Sequence, residues 1–242
     1  GKGVELGSRR AVYLLSLLCT REEPVSMDKI LEEMWPDWDY YTARNNFYFT
    51  LHRLRKSLNN KDLIGFKNGQ CWINQDIVWT DIKQFDLLVE ESRRLLNNNQ
   101  QKKSLTMLSH ASAHYRGELL EGMELGPILA LEKDAAAKKY CASLSEAGRI
   151  LLEIGDYQQA VEVLTRASLN DFFDEQSYRL LMLACYASGN QRQALEIYQK
   201  FSKLLREEMG AHPQKATRQL RDLILSGQDI PVPEMIKTLS PS

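Results

Sequence analysis

The sequence predicts a mainly α protein in two parts, helical throughout except for one short β-hairpin. Three observations predict it. Apolar residues recur at helical spacing through most of the 242 residues. The Asn68-Gly69 pair lies between two short apolar runs, LIGF and CWI, which is a strong signal for a two-residue hairpin turn. Two stretches of the second half, LLEIGDYQQAVEVLTRA and YASGNQRQALEIYQKF, align at a fixed offset of 34 residues, Gly155 with Gly189 and Ala160 with Ala194.

The elements follow in order. RRAVYLLSLLC, residues 9–19, carries the apolar stripe of a first helix. Ser26 is a natural N-cap for a second helix through MDKILEEMW, which Pro36 ends. Asp39 caps a third helix from about Tyr41 to Leu58, in which Ala43, Phe47, Leu51, Leu54 and Leu58 recur at core spacing. The hairpin follows. Three helices and then a hairpin describe a winged helix-turn-helix with a small β-hairpin wing.

From Thr80 the chain reads as all-helical, with breaks near residues 97–99, 117–126, 155, 170–173, 189 and 210–213. Thirty-four residues is the tetratricopeptide period, in which glycine ends the first helix of a pair and a small alanine lets the second approach closely. Tyr157, Ala160 and Ala167 suit that pattern. The second repeat departs from it at Gln191 and Phe201, and Phe172 replaces an expected proline. NNNQQKKSLTMLSHASAHYRG resembles a degenerate earlier unit, and a long helix runs through LALEKDAAAKKYCASLSEAGRILLEI. Three helix pairs and a capping helix near Lys215 to Leu225 are expected. The predicted domains are residues 1–79, a winged helix, and residues 80–242, a tetratricopeptide-like helical domain.

Composition excludes several classes. With 43% hydrophobic and 26% charged residues the chain is an ordinary folded protein, and no run reaches the roughly 18 apolar residues of a membrane span. A cytoplasmic location is expected, since the N-terminus has no secretory pattern. The four cysteines, Cys19, Cys71, Cys141 and Cys185, form no CxxC pair and read as reduced, mostly buried thiols. Net charge is only -1, but residues 41–68 place Arg44, Arg53, Arg55, Lys56, Lys61 and Lys67 against the lone acid Asp62.

That basic excess coincides with the third helix, ARNNFYFTLHRLRKSL. At 100° per residue from Phe47, the opposite side holds Asn45, Phe49, His52 and Lys56, flanked by Tyr41, Thr42, Tyr48 and Arg53, with Arg44 and Arg55 at the margins. Asparagine pairs with adenine and arginine with guanine in the major groove. Phe49 suits a thymine methyl group, and Lys67 at the hairpin tip suits a phosphate or a minor groove. Arg53 and Lys56 need only charge within reach of a phosphate. A solvated amphipathic helix is the bland reading of the same residues, and Tyr48 and Phe49 fit packing against the wing or a second subunit equally well.

No catalytic constellation is visible, and no cofactor or metal is expected. His110 and His114 share a helical face, yet the glutamate of HExxH is absent and no third ligand is indicated. No GxxxxGK[ST] loop occurs. An interaction module is the competing reading: helical repeats present concave surfaces for peptides, and some winged helices bind protein rather than DNA.

VSMDKILEEMWPDWDYYTARNNFYFTLHRLRKSL resembles the OmpR-type winged helix of SARP-like bacterial transcriptional activators, whose third helix commonly reads ARNNL followed by LSRLRKAL. The resemblance continues through DIKQFDLLVEESRRLL, HYRGELLEGMELGPILALEKDAAAKKY, YRLLMLACYASGNQRQALEIYQKF and LLREEMGAHPQKATRQL, which are similar to the helical bacterial transcriptional activator domain of that family. It implies a DNA-binding regulator of promoter repeats that assists RNA polymerase, often as a dimer. Arg44, Asn45, Asn46, Arg53, Arg55 and Lys56 fall on its recognition-helix positions. Tyr48 stands where arginine is frequent and His52 where serine is common, so the DNA sequence read does not carry over. The resemblance also implies strands before GKGVELGSRRA, with residue 1 in the last of them, and an upstream strand-bearing or sensory segment.

Overall fold

The computed structural model describes residues 6, 8–60 and 62–239. The strand expected at residues 1–5 lies outside the described residues. Compactness divides the chain into residues 1–84 with 116–136, and residues 85–115 with 137–242. The sequence placed a single cut between 79 and 80; the first unit instead recruits a later segment, for a reason that lies in two buried side chains.

In the first unit, α1 (Arg9–Cys19), α2 (Met27–Met34) and α3 (Tyr40–Leu58) surround one core with a small sheet. Side-chain caps start all three helices. Ser8 accepts from the Ala11 N–H, Ser26 from Lys29 and Asp39 from Thr42, the two serine caps contributing about 1 kcal/mol each. The hydrogen bonds from Thr42 hold the Asp39 carboxyl below its ordinary pKa, so an anion faces the positive end of the α3 dipole. Ala43, Phe47, Leu51 and Leu54 are buried as the stripe predicts, while Leu58 is half-buried.

The hairpin joins β2 (Ile64–Lys67) to β3 (Gln70–Ile73) with Lys67 opposite Gln70. Asn68 (φ 52°) and Gly69 (φ 74°) both take the left-handed conformation of a tight hairpin turn. A third strand was not foreseen. β1 (Val25–Ser26) pairs antiparallel with β3, giving the order β1-β3-β2. Two residues carry too little pattern to announce a strand.

Residues 116–136 join this unit through Glu33, which is buried on α2. Its carboxylate accepts from the Tyr13 hydroxyl (2.8 Å), the Ile128 N–H (2.9 Å) and the Leu129 N–H (3.0 Å), and the Tyr13 oxygen accepts from Gly126 N–H (2.6 Å). Glu33 thus satisfies free N–H groups in the first turn of α6 (Pro127–Glu153). Burial pushes the Tyr13 phenol up to about 12.

The second unit is built of helices. α4 (Asp81–Asn97) and α5 (Gln101–His114) are followed by α6, α7 (Tyr157–Asn170), α8 (Glu175–Ala187), α9 (Gln191–Met209), α10 (Lys215–Ser226) and α11 (Val232–Leu239). The repeat reading holds. Gly155 (φ 82°) and Gly189 (φ 85°) occupy equivalent left-handed turns, and Ala160 and Ala194 are fully buried. The departures from the repeat have their own contacts. Gln191 donates to the Ile224 carbonyl of α10, and Phe201 stacks on Tyr178 at 4.2 Å. α5 pairs with α4 through a buried Ser92–Ser104 hydrogen bond of 2.7 Å. The capping helix at residue 215 is present, and α11 extends beyond it. Pro233 does not oppose α11, because the first turn has no intrahelical use for that N–H.

Cys71, Cys141 and Cys185 are buried and Cys19 is half-buried, all as free thiols. Among the described residues no helix is long and apolar enough to cross a membrane.

Candidate nucleic-acid interface

The site begins with the helical wheel of α3. With Ala43, Phe47, Thr50, Leu51 and Leu54 buried, Tyr41, Thr42, Arg44, Asn45, Tyr48, Phe49, His52, Arg53 and Lys56 are exposed. The Asn45, Phe49, His52 and Lys56 row faces solvent as the periodicity predicts. Among the described residues, Arg53, Lys56, His52 and Asn45 make no hydrogen bond and no ion pair within the unit. They are available to a ligand.

Arg55 and Asn46 are placed differently. Arg55 donates from Nε (3.1 Å) and Nη2 (2.7 Å) to the Ile64 carbonyl of β2, and is half-buried. It ties the end of α3 to the base of the wing. The Asn46 amide donates to the Thr42 carbonyl one turn earlier at 2.9 Å, so one of its two N–H groups is occupied by its own helix. The motif match put both on the recognition surface; the structure gives their side chains intramolecular partners.

The two aromatic candidates also separate. Tyr48 is 39% exposed, meets Phe66 of β2 edge-on at 5.8 Å and lies beside Phe47 at 5.5 Å. It is a strut between helix and wing. Arg44 lies over the Tyr48 ring at 5.6 Å, and its interaction with Tyr48 raises the guanidinium pKa. Phe49 is 59% exposed, with the Arg53 guanidinium 5.4 Å from its ring centroid. Lys67 is exposed beside the Asn68-Gly69 turn. Trp72 of β3 lies over Gly65 of β2, where a Cβ would sit 2.1 Å from the indole.

Phe66 was missed as a part of this site. Its signal was in the sequence, since period-two alternation puts Phe66 on the same strand face as the core residue Ile64. The groups this interface offers are fixed charge, amide edges and a ring, which is the chemistry of binding. Among the described residues no group of His, Cys, Asp or Glu is assembled for a metal.

The model of the bacterial transcriptional activator domain matches residues 80–225. The chain belongs to the bacterial transcriptional activator domain family. Its relatives support the SARP-like resemblance. The regulatory protein AfsR of Streptomyces griseus is 26% identical over 233 residues, covering 94% of this chain and 24% of that protein. The regulatory protein DnrI of Streptomyces peucetius is 23% identical over 227 residues, covering 90% of this chain and 83% of the relative. The chain therefore spans about a quarter of AfsR but most of DnrI. Mycobacterium tuberculosis EmbR, solved in complex with a low affinity phosphopeptide, shares the fold at a TM-score of 0.85 and 19% identity, over 98% of this chain and 64% of EmbR. AfsR and DnrI are regulatory proteins, and the mainly α fold is common ground with EmbR.

Proposed function

We propose that this chain is a sequence-specific DNA-binding transcriptional activator. Residues 1–79 recognise duplex promoter repeats, and residues 80–242 form the activating and protein-contacting domain. The observation that carries the reading is the outward row of α3, in which Asn45, Phe49, His52, Arg53 and Lys56 stand free on a helix whose other side is core. α3 enters the major groove. Asn45, Phe49, His52 and Arg53 address base edges, Arg44 and Lys56 address phosphates, and Lys67 at the wing tip reaches the neighbouring backbone.

Membership of an activator family and the winged-helix order support this reading over a solvated amphipathic surface. A cytoplasmic location, assistance to RNA polymerase, binding as a homodimer and coupling to an upstream sensory segment belong to the same proposal. Catalysis has no part in it. The test is Arg53→Glu with Lys56→Glu, measured by fluorescence anisotropy on labelled duplex DNA. Affinity falls at least 100-fold, on the order of 3 kcal/mol, while the far-ultraviolet dichroism of the helices is unchanged. Undiminished affinity in the folded variant overturns the proposal.

A further inference from the structure

Two rings on α3 carry an arginine each, and their surroundings differ. Tyr48, beneath Arg44, is braced by Phe66 of the wing. Phe49, beneath Arg53, is left 59% exposed in the middle of the outward row. A lone exposed ring is ordinary on a protein surface; what singles out Phe49 is the Arg53 guanidinium 5.4 Å from its centroid in the middle of the outward row. Arg53 makes no hydrogen bond or ion pair among the described residues, so the Phe49 ring is what orients its guanidinium. Contact through the ring leaves the N–H fork free for an acceptor pair.

We propose that Phe49 and Arg53 act as one reading couple for a thymine-guanine step in the major groove. This rests on the DNA-binding reading above. Phenylalanine packs on the thymine 5-methyl group, and arginine donates bidentately to guanine O6 and N7. The two residues are one helical turn apart, and their tips meet in a single cation–π contact. They therefore address neighbouring base pairs rather than distant ones. Phe49 has two tasks: it touches the methyl group, and it positions Arg53 by restricting the rotamers that binding would otherwise have to freeze. Tyr48 cannot do the same, because its ring is committed to Phe66.

The couple is tested by selecting bound sites from a randomised duplex pool with the full chain and its variants. The wild type enriches sites with thymine and guanine in adjacent columns. Arg53→Ala weakens the guanine column alone by roughly tenfold. Phe49→Leu keeps an apolar group for the methyl but loses the ring, so it retains thymine and weakens guanine. Phe49→Ala weakens both, and adding Arg53→Ala costs less at guanine than Arg53→Ala does in the wild type. Replacing that thymine by deoxyuridine removes only the methyl group, and lowers the affinity of the wild type but not of Phe49→Ala.

A wild-type site without the thymine-guanine step overturns the couple, as does Phe49→Leu with guanine preference intact. In either case steep salt dependence of binding leaves the DNA reading standing. A wild type that enriches no sequence and binds regardless of salt overturns both.

Discussion

Arg53 and Arg55 lie two residues apart on α3 and meet opposite fates. Arg55 gives two hydrogen bonds to the Ile64 carbonyl and belongs to the fold. Arg53 rests on an exposed ring and belongs to whatever the helix meets. Tyr48 and Phe49 repeat the contrast, one ring braced on the wing and its neighbour bare. Residue type does not separate these pairs; angular position does. A side chain within reach of the wing is spent on holding the wing, and one on the far side of Phe47 is displayed.

The contrast can be broken at several strengths. Phe47→Ala empties the centre of the inward face and costs about 3–5 kcal/mol by chemical denaturation, a large share of a domain's stability, and lowers DNA binding with it. Phe49→Ala, two residues on and about half a turn round on the opposite face, leaves the denaturation midpoint nearly unchanged. Equal midpoints for the two variants would contradict the division into faces.

Arg55→Ala is the next largest. Loss of two charge-assisted donors to Ile64 costs about 1–3 kcal/mol, seen as a lower denaturation midpoint. The folded variant keeps more of its DNA affinity than Arg53→Ala does. The reverse order in an anisotropy titration would place Arg55 on the recognition surface after all.

The smallest effect concerns Tyr13, whose hydroxyl is bound between Glu33 and the Gly126 N–H. Its folded pKa is raised from 10.0 to about 12, with burial the largest cause. A raised acid gives stability that is complete below its unfolded pKa and lost as pH climbs toward the folded value. Melting temperature therefore falls between pH 10 and about 12. Tyr13→Phe is less stable at neutral pH by about 1 kcal/mol and has a flatter alkaline limb. An identical limb in both proteins would show that the phenol is not the group responsible.

How much of this was legible in the sequence depended on range. The caps at Ser26 and Asp39, the Phe47 stripe, the Asn68-Gly69 turn and the Gly155/Gly189 offset are local or periodic, and each is present as read. Arg55 was assigned to DNA from its motif position, because its partner Ile64 lies across a turn that periodicity does not locate. The Glu33 contacts with Ile128 and Leu129 span 95 and 96 residues, and no short-range pattern encodes a contact at that separation. For the same reason the cut at residue 79 did not foresee that residues 116–136 pack with the first unit. β1 was hidden by brevity, being two residues long, whereas the place of Phe66 was legible from its alternation with Ile64.

The central claim is that α3 and the wing meet a phosphate backbone through Arg44, Lys56 and Lys67 while Arg53 reads a base. The direct measurement is the dissociation constant for duplex DNA against salt concentration. Three phosphate contacts give a slope of log affinity against log salt of about -2.7, and Lys56→Ala makes it shallower by about 0.9. A slope near zero, unchanged in the variant, would contradict the account.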